Sequence, residues 1–304
     1  MRRLLLLTVG LGVAACNRGP SEITIALVPQ AMDSEFWLAM ADGARAAAAE
    51  RPGVRLSVVA PDREINVDQQ VSIIEDQIRR GIRALVVAPS GTAQVLPALE
   101  QAASRKIPVV LVDTDVPFPR KVCYIGTDNR KGGALAARRL AELLGGRGEV
   151  ALLHGVPGNE SQDARANGFL EALATRPELR LVARQPANSE RALGLTVMEN
   201  ILTARPGLAG VFATNDQMAL GAMEALEARG LRGKVKIVGF DATKEAVQAT
   251  VEGRLAGTVA QDPRAMGRRG VEAALAAIEG RPVEPHIDTG TEMVTAENAA
   301  RYLR

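Results

Sequence analysis

The stretch Gly210-Val-Phe-Ala-Thr-Asn-Asp-Gln-Met-Ala-Leu-Gly-Ala-Met-Glu-Ala-Leu226 decides the fold. A short apolar run, Val211 to Ala213, reads as a buried strand and stops abruptly at Asn215-Asp216. An amphipathic helix begins at once, with Met218, Ala219, Ala222 and Leu226 on one face. Asp216 and Gln217 suit its first turn, where a carboxylate meets the positive end of the helix dipole. Polar side chains therefore sit where a strand ends and a helix starts, the position at which open α/β sheets take their ligands.

The same pattern recurs in both directions along the chain. Upstream, Ile23–Val28 is a continuous apolar run, the look of a strand buried on both faces, and it breaks at Pro29-Gln30 before a helix that opens with Phe36-Trp37. Leu56–Val59, Ala84–Val87, Val109–Val112, Val122–Ile125, Val150–Leu153 and the weaker Leu181–Ala183 follow. Downstream come Val235–Gly239, ending in Phe240-Asp241, and Thr258–Ala260, ending in Gln261-Asp262-Pro263. Helical periodicity fills several of the intervals, as in Val67, Val71, Ile74 and Ile78. Strands alternating with helices predict parallel α/β sheets. One doubly wound sheet rarely absorbs about ten strands without splitting. The expected fold class is therefore α/β, with two doubly wound parallel-sheet lobes and a cleft where their strand ends face each other.

Composition narrows the function. With 304 residues and 47% apolar residues, the chain has material for two cores and is not intrinsically disordered. The leader Met-Arg-Arg followed by apolar Leu4 to Val13 reads as a signal peptide too short to span a bilayer. It ends in Val13-Ala14-Ala15-Cys16, which resembles the lipobox of bacterial lipoproteins. Residues 1–15 are thus expected to be removed, Cys16 to be acylated, and residues 16–22 to form a tether. The formal charge of +2 falls to neutral when Arg2 and Arg3 leave with that peptide, which gives no electrostatic basis for nucleic-acid binding or for membrane contact beyond the anchor. Cys123 then stands alone in an apolar run, so no disulfide and no cysteine metal site arises within one chain.

Familiar catalytic patterns are missing: there is no G-x-S-x-G, no Walker P-loop and no H-E-x-x-H. His154 and His286 are far apart in sequence, and His154 reads as a satisfied structural histidine. Asp62, Asp113, Asp216 and Asp241 all stand at strand ends. They read as a distributed set of hydrogen-bond acceptors more readily than as a pair of glycosidase acids.

At these residues the chain resembles the ribose-binding group of type I periplasmic solute-binding proteins, the receptors of ABC sugar importers. The markers are Ile25–Val28 with Phe36-Trp37, Ile125-Gly-Thr-Asp-Asn129, Phe212–Gly221, Val238-Gly-Phe-Asp241, Gln261-Asp-Pro263 and Asp288-Thr-Gly290. The resemblance implies two lobes joined by three crossovers, here near Thr127, Gln261 and Asp288. Residues 23–127 plus 262–288 would form the N-terminal lobe, and residues 128–261 plus 289–304 the C-terminal lobe. Ligand would bind between them as they close.

Carried across by motif, Phe36 and Trp37 stand where the family sandwiches a sugar ring, and Asp113 matches its hydroxyl-binding aspartate. Arg165 matches the binding arginine of the second lobe; Asn215, Asp241 and Gln261 match further ligand contacts. Asp216 is expected to cap its helix. Three positions depart from the pattern. Thr114 stands where ribose-binding proteins carry arginine, Ser189 where they carry an aromatic, and Ser34 where they carry a binding asparagine. A bidentate donor is lost with that arginine, so the expected ligand widens from ribose to a pentose, hexose or polyol. The expected protein is a monomeric, non-catalytic lipoprotein without cofactor or metal, delivering the sugar to an ABC permease. A sensory protein passing a sugar or autoinducer-like signal to a membrane receptor would use the same fold. A transcription-regulator core and an anchored carbohydrate-active enzyme are further alternatives.

Overall fold

The computed structural model describes residues 22–303. The expected leader, Cys16 and all but the last residue of the tether lie outside the described residues. The chain builds two six-stranded sheets. The first begins with β1 (Ile23–Val28), β2 (Val54–Val58), β3 (Ala84–Val87), β4 (Val109–Val112) and β5 (Cys123–Gly126). The second begins with β6 (Gly148–His154), β7 (Leu179–Pro186), β8 (Leu208–Ala213), β9 (Lys236–Asp241) and β10 (Gly257–Ala260). Two short strands complete them: β11 (His286–Asp288) joins β5 in parallel, and β12 (Glu292–Val294) joins β10 antiparallel.

Spatial order is β2-β1-β3-β4-β5-β11 in one sheet and β7-β6-β8-β9-β10-β12 in the other. In each, the chain moves outward first to one side and then to the other, leaving a crevice at the strand ends where the direction reverses. Apolar runs form these strands because both faces are covered. In β1, Ile25 and Leu27 pack into one core and Ala26 and Val28 into another, all fully buried. The first core lies under α1 (Glu35–Ala49), and the second under α2 (Val67–Arg79) and α3 (Thr92–Ser104). In the second sheet, α4 (Asn129–Leu143) and α5 (Glu160–Ala174) cover one face. The other face is covered by α6 (Arg191–Ala204), α7 (Asp216–Ala228) and the short α8 (Lys244–Val251). Late in the chain, α9 (Pro263–Ile278) returns to pack beside α1 on the first sheet.

The chain passes between the sheets three times: from β5 to α4, from β10 to α9, and from β11 to β12. These crossovers lie side by side. Thr289 N donates to Gly126 O at 2.9 Å, and Thr291 Oγ1 donates to Ala260 O at 2.9 Å. Sequence reading missed β11 and β12, because three residues such as His286-Ile-Asp288 carry no recognisable period. It also cut β7 short: this edge strand carries Arg180, Arg184 and Gln185, so no apolar run marks its full length.

Candidate ligand-binding site

The first lobe presents its aromatics from the first turn of α1. Phe36 and Trp37 meet edge-to-face, with ring centroids 4.9 Å apart and planes at 87°. Ser34 occupies the N-cap position of that helix without capping it through its side chain. The indole N–H of Trp37 donates to Glu64 Oε1 at 2.9 Å, which fixes the ring edge against the loop between β2 and α2.

Arg165 is the pivot of the second lobe. It is buried on α5, and its Nε donates to Asn129 Oδ1 at 2.8 Å while Nη1 donates to the Thr214 carbonyl at 3.0 Å. The guanidinium carbon stands 4.0 Å from the centroid of the Phe240 ring, a cation–π arrangement that removes it from water on one side. Close packing of α4 on α5 sets its position. A Cβ on Gly133 would collide with the Arg165 carbonyl, and one on Gly168 with the Arg130 carbonyl, so only glycine lets the two helices approach this closely.

Two aspartates flank this guanidinium, one from each lobe. Arg165 Nη2 lies 3.8 Å from Asp113 Oδ1, and Nη1 lies 3.6 Å from Asp241 Oδ1. Both separations are ion pairs too long for hydrogen bonds. Asp113 Oδ2 accepts from Thr114 Oγ1 at 2.8 Å, and the Asp113 carbonyl accepts from Tyr124 at 2.9 Å. Asp241 Oδ1 accepts from Gln261 Nε2 at 2.8 Å. Among the described residues, six non-glycine residues have positive φ, and Asp113 (62°), Ser189 (65°) and Asp241 (123°) are three of them. Backbone in this region is strained for a residue with a Cβ and clusters where side chains are aimed at a ligand.

Burial dominates the electrostatics. It pushes the Asp113 carboxyl above its ordinary range, with Arg165 and the Thr114 hydrogen bond opposing. Asp241 and Asp216 are both raised, first by burial; Arg165 opposes the rise at Asp241, and the Thr258 hydroxyl opposes it at Asp216. Glu64 is pushed up to about 7 by burial, against its hydrogen bonds with the Ser189 hydroxyl and the Trp37 indole. One guanidinium thus serves two carboxylates, Asp113 and Asp241, and protein groups leave some acceptors free. Asp113 Oδ1 and Gln261 Oε1 are buried without a hydrogen-bond partner.

Seven of the expected ligand contacts line one cavity: Ser34, Phe36, Trp37, Asp113, Arg165, Asn215 and Asp241. Three do not line it. Thr114 sits behind Asp113, where its Oγ1 also accepts from Gln30 Nε2 at 2.9 Å. Gln261 supports Asp241, and Ser189 is buried between β7 and α6. Asn215 caps α7 through Oδ1 and donates from Nδ2 to the Ser189 carbonyl, so both ends of its amide are engaged. The cap is therefore Asn215 and not Asp216. Asp216 is wholly buried, its carboxylate accepting from Thr258 Oγ1 at 2.7 Å and from the Thr243 backbone at 2.9 Å. It ties β10 and the start of α8 to α7. His154 is buried outside the cavity, with Nε2 3.0 Å from Asp163 Oδ1.

Sequence reading missed Gln30, Glu64, Gln162, Gln217 and Thr243, which complete the lining. Gln30 and Gln217 do lie at a strand break and in a first helical turn, which is a usable signal. For Glu64 the strand-end acid Asp62 drew attention instead, yet Asp62 is exposed and bonded to Gln69, while Glu64 two residues later turns inward.

Hydrogen bonds also run from lobe to lobe around the cavity. Asn159 Nδ2 reaches Gln30 Oε1 at 3.1 Å and the Ser90 carbonyl at 3.3 Å. Thr114 Oγ1 lies 3.2 Å from Ser161 Oγ, and Lys244 N donates to Glu35 Oε2 at 2.8 Å. The lobes are closed on each other. Among the described residues, no group of three or more histidine, cysteine, aspartate or glutamate side chains could hold a metal ion, and no helix is long and apolar enough to cross a membrane.

Comparison with known proteins agrees with this architecture. Residues 25–282 match the periplasmic binding protein domain. The ribose import binding protein of Salmonella typhimurium is 34% identical over 286 residues, covering 94% of this chain and 95% of that one. The D-ribose/D-allose-binding protein of Pseudomonas aeruginosa is 32% identical over 289 residues, covering 91% and 90%. Among solved structures, a carbohydrate transporter solute-binding protein from Agrobacterium radiobacter in complex with D-arabinose superposes with a TM-score of 0.88 at 32% identity, covering 92% of this chain and 96% of that one. The two sheets, the three crossovers and these likenesses lead to one conclusion: the chain belongs to the periplasmic binding protein domain family, on the two-lobed fold of the sugar-binding receptors of ABC transporters.

Proposed function

We propose that this protein is the extracytoplasmic substrate-binding component of an ABC sugar importer and takes a pentose, hexose or polyol between its lobes. The observation that carries this reading is Arg165, held between Asp113 of one lobe and Asp241 of the other beside Phe36 and Trp37. Sugar hydroxyls need charged, fixed partners, and sugar C–H faces need aromatic surface; the cavity supplies both. Arg165 cannot hydrogen-bond either aspartate directly at these distances, so hydroxyls bridging the three groups would complete the site. Closed lobes are the state a permease would engage.

In this reading the lobes comprise residues 23–127 plus 262–288 and residues 128–261 plus 289–304, hinged at the three crossovers. Ser34, Thr114, Asn215 and Gln261 take part as cavity lining or as supports of the two aspartates, and Ser189 takes part through its hydroxyl beside Glu64. The protein acts as a monomer, acylated at Cys16 and anchored outside the cytoplasm, with its permease as the membrane partner.

Isothermal titration against monosaccharides, polyols, amino acids and nucleosides tests the reading. Saturable binding of a sugar or polyol, with no binding of amino acids or nucleosides, is the expected result. Binding confined to amino acids or nucleosides, or to nothing in the set, would overturn it.

A further inference from the structure

A row of amides and hydroxyls runs from the second lobe to the back of Asp113. Asn159 Nδ2 donates across the cleft to Gln30 Oε1 at 3.1 Å. Gln30 Nε2 donates to Thr114 Oγ1 and to the Pro89 carbonyl, each at 2.9 Å. Thr114 Oγ1 in turn donates to Asp113 Oδ2 at 2.8 Å. All four side chains are buried. Their proton order is fixed from both ends. Asn159 Oδ1 already accepts from Gln162 N and from Ser161 Oγ, so its amide must present Nδ2 to Gln30. A backbone carbonyl can only accept, so Gln30 must turn Nε2 toward Pro89 and Thr114. The Thr114 hydroxyl, receiving from Gln30, has its single proton left for Asp113. Asp113 Oδ2 is thereby occupied behind the site. Its Oδ1, buried with no hydrogen-bond partner, is the atom left for ligand.

We propose that Gln30 and Thr114 are positioning residues that couple closure of the lobes to the aim of the Asp113 carboxylate. Opening withdraws Asn159 from Gln30 Oε1, which frees the Gln30 amide to turn and the Thr114 hydroxyl to give its proton elsewhere. Closure restores the order, and Asp113 is then held with Oδ1 toward the cavity as acceptor for one ligand hydroxyl. Thr114, at the position where the ribose-binding pattern has arginine, thus acts through Asp113 and not on the ligand itself. The coupling rests on the sugar-binding reading and deepens it at one acceptor: a hydroxyl at the matching ring position is recognised fully only when the lobes are shut.

Deoxy analogues read the aim of Asp113 separately from overall affinity. The experiment measures Kd by titration for the monosaccharide or polyol that binds wild type tightest and for its monodeoxy analogues. The proteins are wild type, Asp113→Ala, Gln30→Met, Thr114→Val, Thr114→Ser and Asn159→Asp. Asp113→Ala marks the hydroxyl that Asp113 receives: its removal should cost wild type about tenfold in affinity and this variant nothing. Gln30→Met, Thr114→Val and Asn159→Asp should each shrink that one loss to about threefold and leave the losses at other hydroxyls as in wild type. Thr114→Ser keeps the hydroxyl and should restore the full loss. Asn159→Asp is the decisive variant, because Asn159 is hydrogen-bonded to neither Asp113 nor Thr114 and reaches them through Gln30. If Asn159→Asp and Gln30→Met weaken the parent and every analogue by one common factor, or not at all, these residues only hold the lobes together. The coupling is then overturned while sugar binding stands. If wild type binds no sugar or polyol, both the coupling and the sugar-binding reading fall.

Discussion

Arg165 Nη2 and Asp113 Oδ1 face each other across the cleft at 3.8 Å, one from each lobe and both buried. The separation is too long for a hydrogen bond and too short to leave the charges independent. The guanidinium is shared: Arg165 also faces Asp241 at 3.6 Å and is hydrogen-bonded to Asn129 and the Thr214 carbonyl, while Asp113 accepts from Thr114. Closure therefore gathers charge that a ligand hydroxyl can bridge.

Replacing Arg165 follows from this. Arg165→Lys keeps the charge but loses the planar fork that reaches Asn129, Thr214 and both aspartates. Affinity is expected to fall at least about tenfold, and Arg165→Ala should bind nothing measurable. Because Asn129 and Thr214 would lose a donor, the alanine variant should also melt lower by about 1–3 kcal/mol of stability. Titration and thermal melting check the two parts separately.

Asn159 separates closure from folding. Its Oδ1 caps α5 by accepting from Gln162 N at 3.1 Å, while its Nδ2 reaches across to Gln30 and Ser90. Asn159→Asp keeps the cap and removes the cross-lobe donor, so the ligand-free melting temperature should hold while affinity drops about tenfold. An equal loss of stability and affinity would show that these bonds do not report on closure.

Trp37 is the single tryptophan of the chain and stands in the cavity wall. Ligand addition should therefore shift or quench the whole tryptophan emission, saturating at the Kd found by titration. Phe36→Ala should weaken binding and leave this signal in place. An emission spectrum indifferent to a ligand that binds by titration would place that ligand elsewhere.

Stability should fall as pH rises from 5 to 8. Glu64 ordinarily titrates near 4.5 and is raised to about 7 in the closed fold, and Asp113, Asp216 and Asp241 are raised as well. Between the two values the folded protein holds protons that the unfolded chain has released, so each unit of pH favours unfolding. The loss is complete only above the raised values. Thermal melting across this window should show the slope, and Glu64→Gln should flatten it; a melting temperature that climbs from pH 5 to 8 would contradict the assignment.

Anchoring is testable outside the described residues. Cys16→Ser should move the protein from the membrane fraction to the soluble fraction, because acyl chains are its only expected hold on the bilayer. Continued membrane association of the serine variant would count against a lipid anchor.

The two-sheet architecture was legible in the chain because parallel strands buried on both faces need apolar side chains in unbroken runs, as in Ile23–Val28. Polar breaks at the ends of those runs pointed to the cleft. Motif resemblance singled out Phe36, Trp37, Asp113, Arg165, Asn215 and Asp241, which do meet around one cavity. Edge strands β11 and β12 were not legible, since pairing with β5 and β10, and not their own composition, makes them strands. Nor was Glu64: a carboxylate in a loop gives no local sign of whether it faces water, and only the fold of the β2–α2 loop turns it toward Trp37 while Asp62 stays exposed. Local sequence thus determined which segments become strands and helices and where the strand ends lie, because periodicity and burial are properties of neighbours along the chain. Tertiary structure alone decided which polar groups share a cavity and which are left with a free hydrogen bond to offer, because that depends on contacts between residues far apart in sequence, such as Glu64, Asp113, Arg165 and Asp241.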